Sequence, residues 1–342
     1  MKLKNIRIIC ILLIFCYNVN ICLSQNIINE KYNTPLYQKI KRDVQNKNIV
    51  ALGEFEHGWE NIIEAKCDVA KFLIDELGFR NIVFEGSFID GFIEEQKEYD
   101  SKTWIQNTQF DAWNSINVEQ LITHFKTKYP NSTYYGCDIQ DLPTQQFIYF
   151  LSDALKPVSK QLSKQVLKKD SICSYLFVQI NFKKQKEASD IELFYNNLLD
   201  TIQNNKSKFI ITDKEYNTMQ QCIKNRIWLC KGLQANSISE FFRIRDYYNS
   251  MNLEWIFSNI DKNTKTIIWA ADGHIDKSLG YNDSMIEVLT KERKSQIFSI
   301  SFKNTLFKKY EYNDKFTYRK KINNSSFDGA IRVTNKKRLI IK

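Results

Sequence analysis

The chain has 342 residues and a formal net charge of +10, with 43% hydrophobic and 13% aromatic residues. That apolar share supports a packed core and excludes a disordered chain, and 4 prolines and 10 glycines leave no long flexible linker. The positive charge is spread over separate clusters (156–169, 183–186, 308–321); aromatic residues do not interleave with them, so they read as a solvated surface and not as a nucleic-acid reader.

At the N-terminus, Lys2, Lys4 and Arg7 precede an apolar run, Ile8 to Phe15, that is too short to span a bilayer. Polar residues follow from Asn18, and Cys22-Leu23-Ser24 offers small residues for cleavage before Gln25. This is the pattern of a secretory signal peptide over residues 1–24. An uncleaved anchor is the alternative, against which the short apolar run argues; Asn20-Ile21 is a poor context for lipidation of Cys22. The expectation is a mature protein outside the cytoplasm, secreted or periplasmic, with no stable membrane insertion. Three of the 8 cysteines fall in the leader. The other five form no CxxC pair, which argues against a zinc knuckle. Cys67 and Cys137 read as buried packing; Cys173, Cys222 and Cys230 lie in a helical region where pairing is open.

Along the rest of the chain, Ile40 to Val44 suggests a short helix and Ile49 to Gly53 a strand. A helix from Trp59 to Leu77 follows, with Ile63, Cys67, Ala70, Ile74 and Leu77 on one face and Gly78 as its stop. A strand (Asn81 to Phe84), a helix (Val118 to Lys128) and a strand (Thr133 to Ile139) complete the signature of a parallel sheet. Helical periods then prevail over residues 143–235, read as a helical insertion or lid. A long helix from Ser239 to Phe257 places Phe241, Ile244, Tyr248, Met251 and Trp255 at one-face spacing. Strands return at Thr266 to Ala271 and Gln296 to Phe302, then a last pair of short runs ends at Ile341. The fold class is α/β: a mostly parallel central sheet flanked by helices, one domain over residues 25–342 with the helical insertion within it.

The strand pattern delivers Glu54 and His57 to a turn bracketed by Gly53 and Gly58, Glu85 to the end of the next strand, and His274 to the turn after Ala271. In open α/β sheets the C-terminal strand edge is where ligands bind. A neutral imidazole takes a proton from water, and a carboxylate holds its tautomer and stabilises the imidazolium. The helix start near Trp59 adds backbone N–H groups suited to a developing oxyanion. No GxSxG is present to frame a serine nucleophile. Two histidines and two carboxylates also suit a divalent ion, so a metal-dependent hydrolase is the rival. The third histidine, His124, reads as a plain helix-surface residue.

The segments GEFEHG, LIDELGFRNIVFEGS, YGCDIQ, RDYYNSMNLEW and WAADGHI, in this order and spacing from Ile49 to Ile275, resemble the erythromycin esterase family, and FDGAIRV resembles its closing strand. The resemblance implies an α/β fold with a helical lid and a cleft. It implies hydrolysis of an ester (in the macrolide ring for the named members) by histidine-activated water, with no cofactor required and a divalent metal possible. The general base falls on His57, with Glu54, Glu85 and His274 lining the site. Arg245 matches the family's arginine and is expected to bind substrate; from the residues alone it reads equally as a surface salt bridge with Asp246 or Glu240. The chain departs from the family at Ala271 and Asp272, where histidine then asparagine are common, and at Glu56, where threonine is usual. The expected partner is therefore a small-molecule ester or lactone, not specifically a macrolide. A haem or metal binder of related fold and a catalytically silent binding protein are the alternatives.

Overall fold

The computed structural model describes residues 32–95, 100–140, 142, 146–179, 184–260, 264–278, 284–304, 316–320 and 326–333. The expected signal peptide and the last run ending at Ile341 lie outside them. The chain falls into two compact units, Met1–Asn46 and Lys47–Lys342. In the first, helix α1 (Pro35–Val44) opens on a proline, whose missing N–H costs nothing in a first turn.

The second unit begins with β1 (Ile49–Glu54), α2 (Glu60–Leu77), β2 (Phe79–Ser87), α3 (Phe88–Glu95), α4 (Ser101–Thr108), α5 (Ile116–Lys128) and β3 (Thr133–Asp138). Helices α6 (Gln146–Leu155), α7 (Lys160–Gln179), α8 (Gln185–Asn204), α9 (Asp213–Leu233) and α10 (Ile238–Asn259) come next. Then follow β4 (Lys265–Trp269), α11 (Asp272–Ile275), α12 (Met285–Val288), α13 (Lys291–Gln296), β5 (Ile297–Asn304), β6 (Phe316–Lys320) and β7 (Gly329–Val333).

Seven strands form one sheet in the order β3-β2-β4-β1-β5-β7-β6. Six are parallel, and β6 closes the edge antiparallel to β7. Strand β1 is buried along its whole length, as expected for a continuous apolar run covered on both sheet faces. Its neighbours are in register, with Val50 opposite Ile267 of β4 and Phe298 of β5. From β1 the chain moves to β2 on one side; from β4 it moves to β5 on the other. The winding reverses between β1 and β4, the position where α/β sheets open a crevice at their carboxyl ends.

Helix ends carry the local signals that stop fraying. Ser115 and Ser237 cap α5 and α10 by accepting from the N–H groups of Val118 and Glu240, and Thr212 with Glu215 forms a reciprocal capping box on α9. Helices α6 to α10 build an apolar layer around Phe147, Leu151, Tyr195, Leu198, Met219, Ile223 and Phe241. Helix α10 buries more than the expected apolar stripe. Phe241 is buried and Ile244 and Trp255 pack against the core, while Arg245, Asp246, Asn249, Ser250 and Asn252 are buried beside Leu253, Ile256 and Phe257. The reason is local. Asn249 accepts from the Ile139 N–H (2.9 Å) and Asn252 donates to the Cys137 carbonyl (2.9 Å), so the helix turns its polar side to the end of β3.

Candidate active site

Glu54, the last residue of β1, is the hub of one cluster. Its Oε1 lies 3.0 Å from His57 Nδ1 and accepts the Trp113 indole N–H at 3.0 Å. Its Oε2 accepts from Lys66 Nζ, which reaches in from α2 with no exposed surface. Lys66 Nζ also donates to the Ala270 carbonyl at 3.2 Å and lies 4.2 Å from the Trp269 ring centre. His57 stands edge-on to the buried Trp113, ring centres 5.5 Å apart, and its side chain is 49% exposed. The hydrogen bond to Glu54 raises the His57 pKa above 6.5, against the opposing effect of burial.

Glycines shape this turn in two different ways. Gly58 has φ +79°, a left-handed angle that a side chain resists. Gly53 is needed for space: a Cβ there would lie 2.4 Å from Asp272 Oδ1 and 2.6 Å from Ile275 Cδ1. Asp272 is buried, accepts from the Ser301 hydroxyl at 2.5 Å, and leaves Oδ1 without a hydrogen-bond partner. Burial pushes its carboxyl up to about 6 in spite of Ser301.

The second cluster is a chain of alternating charges: Asp138, Arg245, Glu85, His274, Asp246. Arg245 on α10 donates Nε to both Asp138 oxygens (3.0 Å each) and Nη2 to Asp138 Oδ2 and, at 2.8 Å, to Glu85 Oε1. His274 Nε2 lies 2.8 Å from the same Glu85 oxygen, and its Nδ1 bonds to Asp246. Arg245 Nη1 stands 3.2 Å from His274 Nε2, a like-charge approach that the shared carboxylate offsets. Burial alone would lower the His274 pKa; Glu85 and Asp246 outweigh that and the nearby Arg245, and push the imidazole up to about 10. Burial would raise the Glu85 carboxyl, yet His274, Arg245 and the Ala271 N–H hold it well below the usual carboxylate range. His274 is therefore a cation through the neutral range, with both ring nitrogens engaged.

One peptide group joins the two clusters. The Ala270 carbonyl accepts from Lys66, and the N–H of the same peptide bond, on Ala271, donates to Glu85 Oε2 at 2.8 Å. The charge of Glu85 also helps raise His57. Glu54, His57, Glu85 and His274 thus gather at the carboxyl ends of β1, β2 and β4, next to the reversal of the winding. Arg245 joins them buried, paired with Asp138 and Glu85; neither Asp246 nor Glu240 is its carboxylate partner. His124 is remote, paired on the α5 surface with Asp75 at 3.0 Å.

Sequence reasoning missed Lys66, Trp113, Asp138 and Asp246. Lys66 has a readable signal, a lysine on the apolar stripe of α2 one residue from Cys67 and 12 residues after Glu54; Asp138 stands at a strand end like Glu85. Trp113 arrives on a short 3-10 turn, Asp111–Trp113, with no periodicity to announce it. Among the described residues no group of three or more His, Cys, Asp or Glu side chains is arranged to hold a metal ion. Lys66 and Arg245 already neutralise the carboxylates that would ligate one.

Residues 74–302 match the erythromycin esterase family, more than half of the chain. The chain belongs to that family. A Bacillus subtilis (strain 168) protein named "Putative hydrolase YbfO" is 21% identical over 271 residues, 72% of this chain and 60% of that protein; this chain is thus matched over less than two thirds of its curated relative. Among solved structures, a Bacillus cereus protein superposes with a TM-score of 0.69 at 16% identity, over 89% of this chain and 92% of the other. An erythromycin esterase mutant in its open conformation superposes with a TM-score of 0.58 at 14% identity, over 87% and 78%. At these identities the superpositions establish the fold shared with the erythromycin esterase; the family membership rests on the sequence match.

Proposed function

We propose that this member of the family hydrolyses a carboxylic ester or lactone with His57 as general base. The observation that carries this reading is the pairing of Glu54 Oε1 with His57 Nδ1 at 3.0 Å on a half-exposed ring. With a carboxylate at Nδ1, the neutral imidazole keeps its proton there and presents the lone pair on Nε2. A water at Nε2 gives up a proton as its oxygen attacks the substrate carbonyl. The tetrahedral oxyanion then collapses, and the imidazolium returns the proton to the departing alkoxide.

The remaining groups support that step. Trp113 and Lys66 fix the Glu54 carboxylate from two sides. His274, held cationic, pairs with Glu85, the carboxylate whose charge reaches His57. Arg245 is a positioning residue that holds Glu85 and His274 in place, and its burial leaves substrate contact to the rim around His57. The reaction needs no cofactor. The basic leader of residues 1–24 supports work outside the cytoplasm.

The test is a His57→Ala variant against a panel of aryl esters, alkyl esters and lactones, each with and without a chelator. Turnover should fall by about 10²–10⁴-fold while the Tm stays within about 2 °C, because the half-exposed ring carries little packing. Unchanged turnover would remove His57 as the base. Loss of wild-type turnover on chelation would move the assignment to a metal-dependent hydrolase.

A further inference from the structure

Five buried cysteines carry free thiols: Cys67, Cys137, Cys173, Cys222 and Cys230. Cys173 on α7 and Cys230 on α9, 57 residues apart in the chain, place their Sγ atoms 3.8 Å apart. Cys137 instead meets the Met285 thioether at 4.0 Å. We propose that Cys173 and Cys230 are a disulfide site, and that their bond staples α7 to α9 when the chain folds in an oxidising compartment.

The closeness of the two thiols is set by a second contact. One turn away, Arg226 on α9 donates Nε to Asp170 Oδ1 on α7 at 2.6 Å and Nη2 to Oδ2 at 3.3 Å, and Tyr195 of α8 donates to the same carboxylate at 2.7 Å. Cys173 follows Asp170 by three residues and Cys230 follows Arg226 by four, spacings that keep each thiol on the face of its ion-pair partner. The buried pair fixes the register of the two helices, so it brings these two sulfurs together and no other cysteine. A disulfide needs the sulfurs about 2.0 Å apart, which side-chain rotation supplies more readily than movement of a helix.

The oxidant is a disulfide of the compartment, such as glutathione disulfide or a protein disulfide. One cysteine thiolate attacks it, forms a mixed disulfide and releases one thiol. The second thiolate then displaces the other half. Two electrons and two protons leave the chain and appear as two thiols of the reduced acceptor. In the folded protein, contact with Cys230 and burial push the Cys173 thiol well above its ordinary value, so the first exchange belongs to a stage before the helices close. Afterwards the buried bond is out of reach of reductants. It restrains the unfolded chain by closing the segment between α7 and α9.

The experiment is refolding of the full chain in a glutathione redox buffer, denaturation, alkylation of free thiols and non-reducing peptide mapping by mass spectrometry. The expected map shows Cys173 linked to Cys230, with Cys67, Cys137 and Cys222 alkylated. The Tm should rise by on the order of 5 °C over protein refolded in reductant; Cys222→Ser should keep that gain and Cys173→Ser should lose it. Alkylated Cys173 and Cys230 in the refolded wild type would overturn the proposal, as would linkage of either to Cys222 in equal yield. The wild-type map decides even where a variant fails to fold, and neither result depends on the hydrolase assignment.

Discussion

Raising the pH from 6 to 10 should discharge His274 and take stability with it. Its imidazole sits at about 10 in the folded protein against 6.5 for the free group. The folded state therefore holds the proton more tightly, and the stability this contributes is complete below pH 6.5 and lost as the pH rises through about 10. At about 1.36 kcal/mol per pH unit, that interval is worth at most about 5 kcal/mol. Solvent screening takes little from it, since the side chain is 13% exposed between two carboxylates. The depressed Glu85 carboxyl is the same interaction seen from the other partner, and adds nothing to this figure. It does set the acid limb: its share is present above pH 4.5 and lost as the pH falls. The full stabilising contribution of the charge chain is thus present between about pH 4.5 and 6.5, and the chain itself stays charged until the pH nears 10. Denaturant midpoints of the wild type and His274→Gln, measured at pH 6, 8 and 10, give the test. The gap between the proteins should close by about 3–5 kcal/mol across that range. Parallel curves, or a His274 ring titrating near 6.5 by NMR, would refute the fixed-cation role.

Lys66→Met should cost about 3–5 kcal/mol in denaturant unfolding, because it strands a buried carboxylate beside an apolar side chain, and should lower turnover through the loosened Glu54. The pH–rate profile should have its acid limb above 6.5, since Glu54 raises His57 and activity appears only as that imidazole loses its proton; Glu54→Gln should move the limb to lower pH as well as reduce the plateau. Asp272→Asn should stabilise the protein at pH 8 by up to about 3 kcal/mol and leave it little changed at pH 3.5: a carboxyl raised from 3.8 to about 6 favours the folded state only while protonated, and that advantage is lost as the pH rises between those values. Equal stability of the two proteins at pH 8 would place the Asp272 charge in solvent.

The parallel sheet was legible because β1, β2 and β4 are continuous apolar runs, and such runs belong to strands covered on both faces. Glu54, His57, Glu85 and His274 were legible because each ends or follows such a run. Helix α10 was legible only in part. Its sequence offers Phe241, Ile244, Tyr248, Met251 and Trp255 at helical spacing, and Phe241, Ile244 and Trp255 do pack inward, yet the helix also buries Arg245, Asp246, Asn249 and Asn252. Periodicity reads only the apolar face; here strand-end carboxylates and backbone groups draw a polar face inward as well. The same limit hid Lys66. A lysine on an apolar stripe reads as a residue that reaches out to solvent, and only the carboxylate of another element explains why this one is wholly buried.

The placement of Glu54 and Glu85 raises an electrostatic problem that the fold itself answers. The two carboxylates stand at or near the ends of strands separated by β4 alone, about 10 Å apart at the usual strand spacing, in surroundings where unpaired charge is costly. Helix α2 supplies Lys66 to one and helix α10 supplies Arg245 to the other. Between them, the Ala270–Ala271 peptide group points its carbonyl at the lysine and its N–H at Glu85, so one backbone dipole serves a cation and an anion in the orientation each requires. What position 271 contributes to this arrangement is its N–H, which every residue except proline possesses. An alanine can therefore stand where the family commonly has histidine without undoing the charge pairing around His57 and His274.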